Sequence, residues 1–257
     1  VNTIGKAVSG SGKAAIGTSI AGSALTAVST APEKLSTLLH RRYPTVAVTG
    51  MTGVGKTRLV DRLARRTTPE AVTENGSATM ERRTSKSARL KGFRFRVVPG
   101  DNAATRLTAL DEVFYEAPVD GVIHVVAYGH ATPRRSGGVS GSAPERSVEE
   151  QLAAELEDWT ITAHRIAAMA VRRERPVWVV IAVMKADLYP DRLEEAVRYY
   201  SPGSGSPFAA KLDELRALAG GAKISIDVLP VSAENSKELD SLLATLEARM
   251  AQLSGHV

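Results

Sequence analysis

The sequence predicts a three-layer α/β fold, a mostly parallel six-stranded sheet with helices on both faces, and three observations predict it. The runs 121–127 and 177–183 are almost wholly apolar, as strands covered on both faces must be. Strand-like runs alternate with helical patterns from residue 43 to residue 254, the order a parallel sheet with crossover helices requires. A short apolar run ending at Thr49 breaks directly into a glycine-rich turn and then a helical pattern. There Gly50, Gly55, Lys56 and Thr57 satisfy G-x-x-x-x-G-K-S/T in a strand, turn and helix setting.

Each element has its own signal. Residues 43–49 read as the first strand, and 57–66 as a helix with Leu59, Val60 and Leu63 on one face. Residues 67–85 are polar and turn-rich, the place for a mobile nucleotide-sensing loop. A hairpin is expected next, with strands at 87–90 and 93–98 around a Lys91-Gly92 turn, because arginines alternate with apolar residues along 93–97. Residues 103–116 form a helix carrying Leu107, Leu110 and Phe114. After the strand 121–127 comes a Gly/Ser/Arg loop, 131–144.

A long helix is opened by a capping box, Ser147 to Glu150, and striped by Val148, Leu152, Leu156, Trp159, Ala163, Ile166 and Ala170. Beyond the strand 177–183, helices at 191–200 and 208–218 flank a polar loop. The last strand covers 224–231. Asn235 to Glu238 then cap a final helix bearing Leu239, Leu243, Leu246, Met250 and Leu253.

Composition bounds the function class. A chain of 257 residues allows one large core and an appendage, and the absence of cysteine excludes disulfides and thiolate metal sites. A reducing, cytoplasmic setting fits best. The net charge is +5 and the pI near 9.5, but the arginine pairs 65–66, 82–83 and 172–173 carry few aromatics between them. That pattern argues against nucleic acid and reads as a solvated face or one drawn to an anionic membrane.

Residues 1–40 stand apart from the rest, 41–257. An uncharged Ala/Ser/Gly/Thr run follows Lys6 and Lys13, with Ile16, Ile20, Leu25 and Val28 as its large apolar groups. A flexible lead-in, a helix packed on a partner, and a membrane contact through close-packing small residues are all open readings.

The phosphate loop carries the chemistry. Gly50, Gly53 and Gly55 let backbone N–H groups of Thr52, Val54 and their neighbours turn inward, and the helix beginning near Thr57 and Arg58 adds its positive dipole end. Lys56 would reach the β- and γ-phosphates, and the Thr57 hydroxyl would hold Mg²⁺. The other strand ends that face the same side are 99–101, 184–187 and 232–234, where ligands of open α/β sheets bind.

Taken in order, these loops resemble the G domain of the Ras-like GTPase superfamily across nearly the whole chain after residue 40. Gly50 to Thr57 is most similar to the G-x-T-G-x-G-K-S/T form of the septin and chloroplast-import-receptor-like branch. Met184, Lys185, Ala186 and Asp187 stand where the family has N/T-K-x-D, so the resemblance implies that Lys185 covers the guanine base and Asp187 accepts from its two donors. Leu188 would border the base. Met184 replaces the asparagine that ties this loop to the phosphate loop. Ser232, Ala233 and Glu234 match the S-A loop that supports the guanine oxygen.

The D-x-x-G motif is degenerate. Gly100 matches its glycine, expected at the γ-phosphate, whereas Val97 occupies the aspartate position that holds a Mg²⁺-bound water. Asp101 falls where the family carries its water-orienting residue, and Thr68, Thr73, Thr79 and Thr84 compete for the switch threonine, with Thr79 preferred. His124 reads as a packed histidine, His130 stands at a strand end near the nucleotide face, and Arg134 and Arg135 belong to the 131–144 loop, as solvated charges or as groups acting on a phosphate in cis or across a dimer.

The resemblance implies a bacterial, cytoplasmic guanine-nucleotide switch that binds GTP and GDP with Mg²⁺ and hydrolyses GTP slowly, with Lys56 and Asp101 as its catalytic groups. Its implied partners are a protein effector or regulator, a nucleotide-dependent dimer and a membrane reached through residues 1–40. Three alternatives stay open: a pseudo-GTPase that binds without turnover, a P-loop ATPase or nucleotide kinase, and a scaffold in which residues 1–40 act.

Overall fold

A computed structural model describes residues 43–64, 81–86, 92–100, 103–132, 146–234 and 236–255. The chain divides into two units, 1–42 and 43–257, and the first lies outside the described residues, as do the expected tether and the loops 65–80 and 133–145.

The second unit is built from β1 (Thr45–Thr49), α1 (Lys56–Leu63), β2 (Glu81–Lys86), β3 (Gly92–Val97), α2 (Ala103–Asp111), β4 (Gly121–Val126), α3 (Val148–Arg172), β5 (Val177–Val183), α4 (Leu193–Tyr199), α5 (Pro207–Ala219), β6 (Ile224–Pro230) and α6 (Lys237–Leu253). The sheet has six strands in the order β2-β3-β1-β4-β5-β6. Five run parallel, and β2 alone is antiparallel, paired to β3. The three-layer, mostly parallel α/β architecture is therefore present as expected.

Strand alternation divides the core in two. On β1, Ala47 faces one cluster with Val122, Val126, Val179 and Ile181, closed by Leu110 of α2, Trp159 and Ile166 of α3 and Phe208 and Leu212 of α5. Val46 and Val48 face the other with Ile123, Val125, Val180 and Ala182, closed by Leu59, Val60 and Leu63 of α1 and Leu243, Leu246 and Met250 of α6. β4 and β5 are buried at every residue, which is why their sequences are continuous apolar runs. Gly121 opens β4 because a Cβ there would lie 2.0 Å from the Trp178 ring on the neighbouring strand.

Several expectations are corrected. The strand paired to β3 is 81–86, within the stretch expected to be a polar loop, with Arg82 opposite Arg96 and Thr84 opposite Arg94 across the ladder, while the expected strand 87–90 lies outside the described residues. A polar segment can serve there because β2 is an edge strand, and charged edges resist pairing with other chains. The helix 103–116 is α2 followed by a π-helical turn, Glu112–Glu116, and the helix 191–200 is a 3₁₀ turn, Pro190–Arg192, followed by α4. The Ser147 capping box is formed in full, whereas Ser236 takes the N-cap of α6 without a side-chain capping bond and Asn235 lies outside the described residues.

Within α3, Val148 is exposed and Leu152 and Leu156 are only partly buried, while Glu155, Asp158 and Thr162 are buried. Arg172 is exposed and Arg173 partly buried, and both also bond the protein. Arg172 Nη2 donates to Phe114 O at 3.1 Å and lies over the Tyr115 ring, and Arg173 donates to Val119 O and pairs with Asp120.

Candidate functional site

The site forms where β1, β3, β4, β5 and β6 end. β1 passes from Thr49 into Gly50, whose φ of 128° and whose contact with β4, where a Cβ would lie 2.3 Å from Val125 O, admit glycine alone. Gly53, φ 82°, lies equally close to the backbone of Thr132. Val54 is fully buried and anchors the loop in the core beneath it. Lys56, the first residue of α1, is buried and its Nζ donates to Gly50 O at 2.7 Å and Met51 O at 2.9 Å, so the ammonium curls over the loop that would cradle phosphate. Gly55 precedes it in the left-handed region at φ 100°.

Gly100 stands beside this loop. A Cβ on it would lie 2.7 Å from Lys56 Nζ and from Thr52 N and 2.8 Å from Thr52 Oγ1, so backbone approach leaves no room for a side chain. Asp101 lies outside the described residues.

The second half of the site is built by β5 and β6. Met184 is buried and its Cε reaches toward Gly55, so apolar packing connects the two loops where the implied asparagine would use a hydrogen bond. Lys185 takes a left-handed backbone, φ 63°, and its Nζ donates to His130 O at 2.6 Å and Thr132 Oγ1 at 2.7 Å. Burial, then the nearby Arg58 charge, lowers its pKa. Asp187 accepts a hydrogen bond from the Ser232 hydroxyl, which also accepts from Glu234 N at 3.1 Å. Ala186 N donates to Val231 O at 3.2 Å, joining the two loops through backbone as well. Ala233 is partly buried against the core, Leu188 is 56% exposed, and Glu234 pairs with Arg58 at 3.0 Å on the surface.

The structure thus brings Lys56, Thr52 and Gly100 together, joins Lys185 to the phosphate loop through Thr132, whose N donates to Gly53 O at 3.0 Å, and joins Asp187 to Ser232.

A magnesium ion fits the described donors poorly. Mg²⁺ is ordinarily held by one or two carboxylates together with phosphate oxygens. Here Thr57 offers a hydroxyl, Val97 at the carboxylate position is buried in the apolar core, and no group of three or more metal-ligating side chains occurs among the described residues.

Sequence reasoning named His124 but missed the buried polar residues that surround it behind the site, Glu155 and Asp158 among them. His124, expected to be a packed histidine, is 1% exposed, with Nδ1 3.0 Å from Thr49 Oγ1 and its ring edge-on to Trp159. Burial, then Arg106 and Lys56, holds it neutral well below the usual histidine range. Its Nε2 lies 3.9 Å from Asp158, whose Oδ1 is 2.5 Å from Arg106 Nη2 of α2. That last contact is an ion pair without hydrogen-bond directionality, since both Asp158 carboxylate oxygens lack a directed donor. His130, half-buried, stacks on Tyr189.

Glu155 accepts from Ala127 N at 2.8 Å and from the Tyr200 hydroxyl. Burial pushes its carboxyl up to about 7 against those two bonds. The folded protein therefore keeps a proton that the unfolded chain releases near pH 4.5. The stability this adds is present below that pH and is lost as pH rises through 7. Glu155→Gln, a mimic of the neutral form, is expected to match the wild type near pH 5 and to exceed it by about 2 kcal/mol near pH 8. Urea denaturation at the two pH values measures this, and an equal difference at both would refute it.

No family model matches the chain, and no curated protein matches it. Solved structures do. A variant of SsGBP aligns at 17% identity and TM-score 0.40, covering 83% of this chain and 57% of its own. An S. thermophilus NFeoB variant bound to GMPPNP aligns at 15% identity and TM-score 0.44, covering 83% and 63%. The signal recognition particle receptor SRb-GTP/SRX complex of Chaetomium thermophilum aligns at 14% identity and TM-score 0.49, covering 80% and 99%. The chain thus spans less than two thirds of the first two. Likenesses at this level concern backbone arrangement alone.

Proposed function

We propose that this chain is a guanine-nucleotide-binding protein that takes GTP and GDP at the strand-end site. One observation carries the reading: both residues expected to read the base are held by partners outside their own loop. Lys185 is held by residues 130 and 132, the second of which also bonds the phosphate loop, and Asp187 is held by Ser232. An ordinary strand-end ion pair would need neither. In the proposed complex the inward N–H groups of residues 52–57 and the Lys56 ammonium take the phosphates. Gly100 N–H meets the terminal phosphate, and the Asp187 carboxylate accepts from the two guanine donors that adenine lacks. Leu188, Ala233 and Glu234 border the base.

Hydrolysis, on this reading, is slow. Lys56 and loop N–H groups stabilise charge developing on the phosphates, while the described residues supply little to orient a metal or a water and Asp101, the expected water-orienting group, lies outside them. Val97, buried in apolar core, specifically favours the second reading, binding without turnover. A protein effector or regulator, a nucleotide-dependent dimer, and a cytoplasmic bacterial setting with membrane contact through residues 1–40 complete the proposal. No helix among the described residues is long and apolar enough to cross a membrane.

The test is titration of fluorescent GDP, GTP and ATP analogues with and without Mg²⁺, followed by phosphate release on the same samples. Guanine binding at micromolar or tighter affinity, weakly dependent on Mg²⁺, is expected. Turnover separates the two readings, and ready displacement by ATP would sink both.

A further inference from the structure

Gln151 and Glu155 lie four residues apart on α3, one above the other on a single face. Each accepts a backbone N–H from the segment that leaves β4: Glu155 Oε1 from Ala127 at 2.8 Å, Gln151 Oε1 from Ala131 at 2.7 Å. Between these two points His130 N closes a turn onto Ala127 O at 2.9 Å, and Tyr128 is held at φ 48°. A bulky residue in that region persists only where its surroundings over-determine it. The same segment supplies both oxygens that receive Lys185 Nζ, and its Thr132 N reaches Gly53 O of the phosphate loop.

A leucine at position 155 would satisfy helix packing without desolvating a carboxylate. What the carboxylate does that leucine cannot is accept the N–H at the end of β4 and the Tyr200 hydroxyl. Gln151, at the surface end of the same face, repeats the arrangement and is itself steadied by donating to Arg146 O at 3.3 Å.

We propose that Glu155 and Gln151 are positioning residues of the nucleotide site: by pinning residues 127–132 to α3 they fix the Lys185 ammonium relative to the phosphate loop and thereby set affinity for the guanine nucleotide. This rests on the nucleotide reading above. Neither residue touches the ligand.

The experiment is GDP-analogue titration of the full chain as wild type, Glu155→Gln, Glu155→Leu and Gln151→Leu, each with and without Lys185→Ala. Amide hydrogen exchange of residues 127–132 is followed in the nucleotide-free proteins. Glu155→Leu is expected to weaken GDP binding about 10-fold, the effect of one hydrogen bond, and to speed exchange across the segment. Glu155→Gln, which keeps the acceptor for Ala127, stays within about 3-fold of wild type. Gln151→Leu gives a smaller loss in the same direction. With Lys185→Ala in place, the difference between Glu155→Leu and wild type disappears.

Unchanged GDP affinity in a folded Glu155→Leu protein would overturn the proposal. So would a loss that persists in full when Lys185 is already alanine. Should Glu155→Leu fail to fold, Gln151→Leu carries the same cycle. If the wild type binds no guanine nucleotide, the function reading fails separately. Exchange then decides, and unaltered protection of 127–132 in both leucine variants would overturn the positioning role.

Discussion

Asp187→Ala is expected to weaken GDP and GTP binding on the order of 100-fold, about 3 kcal/mol, and to erase discrimination against ATP. Two guanine donors would lose a charged acceptor in a half-buried position, and charge-assisted hydrogen bonds are the strong ones. Binding of inorganic triphosphate, which engages the phosphate loop alone, stays unchanged. The Ser232 hydroxyl loses its acceptor but keeps the Glu234 N–H bond, so stability falls by only about 1 kcal/mol. Competition titration with GTP, ATP and triphosphate measures all of this. If GDP affinity survives the substitution, Asp187 does not read the base and only the phosphate cradle stands.

Asp158→Ala is expected to be the most destabilising single change, about 3–5 kcal/mol, because it leaves the Arg106 guanidinium uncompensated against α3. Arg106 is 13% exposed and Asp158 4%, and the pair joins α2, which follows Gly100, to the long helix. A double replacement, Arg106→Met with Asp158→Leu, restores most of the loss, since an apolar pair of similar volume needs no desolvation. Urea denaturation of the single and double variants is the measurement. A single variant within about 1 kcal/mol of wild type would mean that the guanidinium finds water instead.

The parts legible in the sequence were those written in local pattern. β5 was readable to the residue because seven apolar residues leave no alternative, and the α3 start because the capping box closes on itself within four residues. β2 was not, since Glu81–Lys86 carries no apolar alternation and pairs only because β3 presents an open edge. The phosphate loop, Lys185, Asp187 and Ser232 were named from motif spacing. Glu155 and Asp158 were not. They lie on the stripe that buries Trp159, Thr162 and Ile166, but a charge on an apolar stripe reads as a polar face until its partners are known.

Hydrophobic periodicity and turn chemistry act within a few residues, so the sequence by itself determined the five parallel strands, most of the helices, their alternation and therefore which loops share the carboxyl edge of the sheet. Only the tertiary structure decided what holds those loops. His130 and Thr132 take the Lys185 ammonium across more than fifty residues, Ser232 reaches Asp187 across forty-five, and Arg106 meets Asp158 across fifty-two. The free energy of a buried polar group depends on whether a partner arrives, and that partner is delivered by the fold rather than by its neighbours in the chain.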